Sequence, residues 1–298
     1  MRVQIGAKRL GVALGAGGLR GAIHIGVLRS LERHGIAVQA LSGSSAGAIV
    51  AAFSAVGYSS AEMESLVLSL DAKQLYDPNL SWRSLLGLTA NALLSFLRIP
   101  ERYRLPFPTG LLQGTLWLDW LYRQLGVTTV AEAQLPLAIL AADIDSGEAV
   151  VFSQLAELAE VVMPDQPLAL AVRASSAIPG VFSPAYVSGR TLVDGGVKAS
   201  VPAELVRGLG ADTVLAVDLG AVERDDLADN IYEIISQSLD IMGEELTTYQ
   251  LQGTADLVIR PVVQNVSLTD FDRIPELIRL GEQTMDQAIP ALRRLLAR

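Results

Sequence analysis

The chain has 298 residues, half of them apolar and 18% charged, with 32 acidic against 23 basic side chains and no cysteine. A net charge of −9 argues against nucleic acid, whose phosphates demand clustered Lys and Arg, and against broad electrostatic attraction to anionic membranes. The lack of cysteine removes disulfides, thiolate nucleophiles and Cys-based zinc or iron–sulfur sites.

The first residues, "MRVQIGAKRLGVALGAGG", hold an apolar run of only about five residues before the glycines, too short for a secretory leader. No stretch reaches the roughly 20 apolar residues that span a bilayer. An intracellular, cytoplasmic protein is expected. In chain order, short aliphatic or β-branched runs predict strands over 10–14, 38–41, 137–142, 149–152, 191–193, 213–217 and 257–260. Helical patterns cover 19–34, 46–56, 61–70, 112–125, 168–175, 203–209, 231–250 and 275–296. Strands alternating with helices predict an α/β fold with a mostly parallel sheet covered on both faces, in one domain over 1–298.

Residues 76–114 break that rhythm. They carry Trp82, Phe96, Tyr103 and Phe107 without a clear strand, so a helical or irregular insertion is expected, packed on the sheet or capping an apolar site. Within it, 84–97 reads "SLLGLTANALLSFL" between Arg83 and Arg98. That stretch is too short to cross a bilayer but long enough to lie on one, which makes peripheral membrane contact one expectation.

The first strand runs into "GAGGLR", 15–20. Bared glycine N–H groups suit a cofactor's pyrophosphate or the oxyanion of a reacting ester. The dinucleotide reading wants glycine or alanine where Arg20 stands, and an acidic residue closing the second strand; 38–47 holds neither Asp nor Glu. That strand enters "GSSAG", 43–47, a G-x-S-x-G pattern with Ser45 at its centre and a small-residue helix behind it. The plain alternative for Ser45 is an N-cap on that helix. Ester cleavage builds negative charge on the former carbonyl oxygen, and the adjacent N–H groups of Gly17 and Gly18 offer two donors to it. Arg20 braces this loop, meets a phosphate head group, or is an ordinary helix-surface arginine.

A hydroxyl needs a base to attack. Both histidines precede the serine, against the Ser–acid–His order of α/β-hydrolases. His24 reads as a packed helix histidine beside Ile25 and Leu28, and His34 as a helix end before Gly35. Turnover is accordingly expected to survive His24→Ala and Ser44→Ala. A carboxylate is then to be considered as the base. Asp194 in "TLVDGGV" closes a short strand at the edge where open α/β sheets place their sites, although, taken alone, it reads better as an ordinary Asp-Gly turn. Asp143 and Asp145 form a rival pair that reads as a structural turn. No His, Asp or Glu cluster has metal-ligand spacing, so neither metal nor cofactor is expected.

Taken together, "GAGGLRG" (15–21), "HIGVL" (24–28), "GSSAG" (43–47), "RASSAIPGVFSP" (173–184) and "DGG" (194–196) resemble the patatin-like phospholipase family in order and spacing. The resemblance implies a three-layer α/β/α fold, hydrolysis of lipid acyl esters, Ser45 as nucleophile, Asp194 as base, and Gly17 and Gly18 as oxyanion donors. It leaves head group, chain length and oligomeric state open. Two other functions stand beside it: a non-catalytic binder of acyl chains or protein, and an NAD(P)-dependent oxidoreductase using 15–21.

Overall fold

The computed structural model describes residues 8–70, 76–79, 109–220, 222–223, 231–264 and 266–297. The strands are β1 (Leu10–Leu14), β2 (Ala40–Ser44), β3 (Gly110–Leu112), β4 (Leu137–Asp143), β5 (Ala149–Ser153), β6 (Val161–Val162) and β7 (Gly180–Phe182). They continue with β8 (Ala185–Val187), β9 (Arg190–Asp194), β10 (Thr213–Val217), β11 (Val222–Glu223), β12 (Leu257–Ile259) and β13 (Val263–Gln264). Described α-helices are α1 (Ala22–Arg33), α2 (Ala46–Ala55), α3 (Ser60–Leu68), α4 (Thr115–Leu125), α5 (Leu168–Ser175), α6 (Ala203–Gly208), α7 (Ile231–Leu251) and α8 (Ile274–Leu296).

The main sheet runs β12-β10-β1-β2-β4-β5-β6, with β9 also on β4 and β8 on β9. Alternation along its strands builds a core on each face. Leu10, Val12, Leu14, Leu41, Leu137, Ile139, Leu215 and Val217 point to the larger core, shared with α1, α2, α5 and α8. Ala13, Ala40, Ala138, Val214 and Ala216 point to the other, covered by α6 and the end of α7. The small side chains on that second face let α6 lie close. The fold is therefore α/β/α, as expected, and the strands from β12 to β4 are parallel.

The far half departs from the expected pattern. β4 pairs antiparallel with β5 and β9, and β9 antiparallel with β8. The β4–β5 and β8–β9 connections are hairpins, not helical crossovers. The β8–β9 turn is Ser188–Gly189, both with positive φ, as a two-residue hairpin turn requires.

This reversal positions the site. One edge of β4 is taken first by β2, whose Ser44 lies opposite Leu140. Its next residue, Ala141, lies opposite Asp194, the end of β9. Two strands running in opposite senses thus finish against consecutive residues of β4, and the groups at their ends meet.

The insertion expected over 76–114 is described only at its roots; 84–97 lies outside the described residues. Contrary to a strand-free reading, Gly110–Leu112 forms β3 and pairs with β7. Such a three-residue strand is too short to show an alternating pattern and exists only through its partner. Asp77 accepts hydrogen bonds from the N–H groups of Gly114, Thr115 and Leu116, so the entry to the insertion caps α4 at its exit. At the other side of the larger core, α1 and α8 cross backbone to backbone. A methyl group on Gly26 would lie 1.9 Å from the Ile278 carbonyl oxygen, and one on Gly281 2.0 Å from that of Ile23.

Candidate active site

β2 runs directly into Ser45, which has φ 53° and ψ −120°, and α2 begins at Ala46. Positive φ in a residue with a side chain stores about 1–3 kcal/mol of strain. The bend is tight enough that its glycines are sterically required. A Cβ on Gly43 would lie 2.4 Å from the Gly47 carbonyl carbon and oxygen, and one on Gly47 2.0 Å from the Leu14 carbonyl oxygen. The G-x-S-x-G spacing is thereby a consequence of packing on β1. Ser45 is buried, and its N–H donates to Ser175 Oγ at 3.0 Å.

Asp194 is 5% exposed. Its N–H donates to the Ala177 carbonyl at 3.0 Å, and its Oδ1 accepts the Gly196 N–H at 2.8 Å. Burial pushes the carboxyl up to about 6, while the Ser45 hydroxyl and the Gly196 N–H restrain the rise. The hydroxyl is within range, yet no aligned hydrogen bond closes on the carboxyl, and Oδ2 is buried without a partner.

The glycine loop reaches the same place from β1. Gly15 N–H donates to Val217 O at 3.0 Å and Ala16 N–H to Ser200 O at 2.9 Å. The next two N–H groups, those of Gly17 and Gly18, donate to nothing among the described residues. Gly18 has φ 55°, and a single 3₁₀ turn (Gly18–Gly21) then leads into α1, where one helix from 19 was expected. Arg20 braces the loop: Nε donates to Gly17 O at 3.2 Å and Nη1 to Leu219 O at 2.7 Å. The loops after β1, β2 and β9 are in contact. A Cβ on Gly47 would sit 2.8 Å from Gly15 O, and one on Gly196 3.2 Å from Ala16 Cβ. Ser45, Asp194 and the free N–H pair therefore share one edge of the sheet. A hydroxyl, a buried carboxyl of intermediate basicity and two unpaired amides on one sheet edge are the kinds of group that acyl transfer uses.

The sequence singled out 173–184 without assigning its residues a role. In the structure Ser175 holds Ser45, Ala177 holds Asp194, and Ser176 accepts the Trp117 Nε1–H at 2.9 Å. Arg173, 4% exposed, donates to the carbonyls of Gln113, Gly114 and Ser183. One helix end thus ties Ser45 and Asp194 to the segment that enters α4. Only the paired serines at a helix terminus hinted at this.

Asp143, Asp145 and His34 are placed elsewhere, whereas His24 lies against the glycine loop, its Nε2 2.8 Å from Gly15 O. Asp143 pairs with Arg190 at 2.7 Å, and Asp145 sits in an exposed turn. His34 closes the opposite end of α1 from the glycine loop. His24 is fully buried and held to about 4 by that burial, so it is neutral. Among the described residues no cluster of three or more His, Cys, Asp or Glu could hold a metal ion. No described helix is long and apolar enough to cross a membrane.

Ser44 is spent structurally: its hydroxyl donates to Ala199 O at 2.7 Å, strapping the chain beyond Asp194 onto β2. Ser44→Ala is expected to keep near-complete ester turnover and to lower stability by about 1–2 kcal/mol through the orphaned carbonyl, read from urea denaturation.

Comparison with known proteins gives the family and the fold. The profile of the patatin-like phospholipase family matches residues 12–207, and the chain belongs to that family. It is 30% identical to the uncharacterized protein YqhO of Bacillus subtilis, over 90% of this chain and 93% of that protein. It is 29% identical to an uncharacterized NTE family protein of Mycobacterium tuberculosis, over 79% of this chain but only 56% of the relative's length. VipD from Legionella pneumophila shares the fold, with a TM-score of 0.57 at 14% identity over 96% of this chain and 67% of that one. Human GIVD cytosolic phospholipase A2 matches at 0.50 and 12% identity, over 98% and 62%.

Proposed function

We propose that the chain is a serine acyl hydrolase that cleaves carboxylic esters of lipids, with Ser45 as nucleophile and Asp194 as base. The observation that carries this reading is the strained Ser45 elbow set beside a buried carboxyl whose pKa lies near 6. Family membership supplies the lipid ester as substrate class. Leu268, exposed beside Gly18, offers an apolar surface for the acyl group.

In the proposed sequence, Asp194 takes the Ser45 proton as Oγ attacks the ester carbonyl. The electron pair moves onto the carbonyl oxygen, which the Gly17 and Gly18 N–H groups receive. Collapse expels the alcohol, which takes the proton back from Asp194. Water then attacks the acyl-serine with Asp194 again accepting a proton; collapse breaks the bond to Ser45 Oγ, which takes that proton back from Asp194, and the acid departs. Each oxyanion donor is worth about 2.7–4 kcal/mol of barrier.

Treatment with a fluorophosphonate, followed by intact mass spectrometry and peptide mapping, is expected to give one adduct, on Ser45, absent in Ser45→Ala. An adduct on another residue, or none on active protein, would discard the assignment. Saturable NAD(P) binding without labelling would instead favour the oxidoreductase reading.

A further inference from the structure

We infer that His24 is a positioning residue that aims the oxyanion-binding amides through the Gly15 carbonyl. This rests on the acyl hydrolase reading above. The Nε2 of His24 lies 2.8 Å from Gly15 O, and because a carbonyl only accepts, Nε2 carries the hydrogen. The other ring nitrogen, Nδ1, is buried with no partner. An apolar side chain would fill this space without burying an unmet acceptor. What the imidazole adds is the one bond to the loop.

The consequence follows from peptide planarity. Gly15 C=O and Ala16 N–H belong to one rigid unit. His24 holds its oxygen, and Ser200 O accepts its hydrogen at 2.9 Å. Two units further on, Gly17 C=O and Gly18 N–H form another, whose oxygen Arg20 holds. The unit between them carries the Gly17 N–H. One free donor, the Gly17 N–H, is thus suspended between two clamped planes, and the other, the Gly18 N–H, belongs to the second of them; the first plane is gripped from α1 and the second from the 3₁₀ turn before it. His24 stays uncharged because burial keeps its pKa at about 4, so the clamp is unchanged across the working range of an esterase. This revises the expectation that turnover survives loss of His24.

The test compares wild type with His24→Leu, His24→Asn and His24→Gln. Gln places an amide N–H near the position of Nε2; Asn is polar but too short, and Leu fills the space without a donor. With 4-nitrophenyl esters, Leu and Asn are expected to lose kcat on the order of 10–100-fold with KM little changed, since displacing a reacting group by about 1 Å has that cost. Gln is expected to recover most of it. Affinity for an acyl trifluoromethyl ketone, whose serine adduct places an oxyanion on these amides, should fall in step with kcat, while affinity for a product fatty acid holds. If Leu fails to fold, the Asn–Gln pair decides alone. Wild-type kcat and ketone affinity in Asn would overturn the inference, as would equal losses in Asn and Gln that track melting temperature. Failure of wild type to label at Ser45 would instead remove the hydrolase reading beneath it.

Discussion

Asp194→Asn is expected to remove ester turnover, on the order of 10⁴-fold in kcat, and at the same time to stabilise the folded protein at pH 8. The two effects have one source. Burial raises the carboxyl from 3.8 to about 6, which corresponds to about 3 kcal/mol of preference for the protonated form. A raised folded-state pKa contributes stability that is complete below the unfolded value, near 3.8, and is lost as pH rises through 6. Above pH 6 the wild type therefore carries a buried charge that the amide does not. Melting temperature at pH 8 should rise by roughly 5–10 °C in the variant, and the gain should vanish below pH 4. In wild type, the base must be ionised to act, so kcat/KM should climb through pH 6 and level off above it. Undiminished turnover in Asp194→Asn would exclude the aspartate from the reaction. Equal melting temperatures at pH 8 would show that no buried charge is borne there.

Gly47→Ala is expected to cost about 3 kcal/mol or more of stability and to eliminate activity with it. The added methyl meets main-chain atoms, Leu14 O at 2.0 Å and Gly15 O at 2.8 Å, and no rotamer relieves that overlap. Either α2 or the end of β1 must shift, and both carry the site. Gly35→Ala is the control. Gly35 has φ 66° but nothing within 4 Å of its absent side chain, so only backbone strain of about 1–2 kcal/mol is added. Urea midpoints of the two variants separate steric overlap from strain; similar midpoints would show that the elbow yields more easily than its contacts indicate.

Much of this was legible without coordinates. β1, β10 and α5 begin and end where their apolar patterns do. β2 was expected to stop at 41 but continues to Ser44, because its last residues are small and polar yet still pair with β1 and β4. β6, β7 and β8 are two or three residues long and left no periodicity to read. Asp145 read correctly as a turn, since an Asp-Ser-Gly turn is a local property.

Sequence alone determined the glycine loop, the elbow with Ser45 at its centre, and Asp194 as a candidate base beside two glycines, because residue type and spacing are written in the chain. Only the tertiary structure decided what those groups became. Asp194 owes its proton affinity to burial among strands remote from it in sequence. Ser175 acquired its hold on Ser45, and His24 its hold on Gly15, through contacts that no spacing encodes. Basicity and aim depend on what surrounds a group in space, and that is assembled only when β2 and β9 finish side by side on β4.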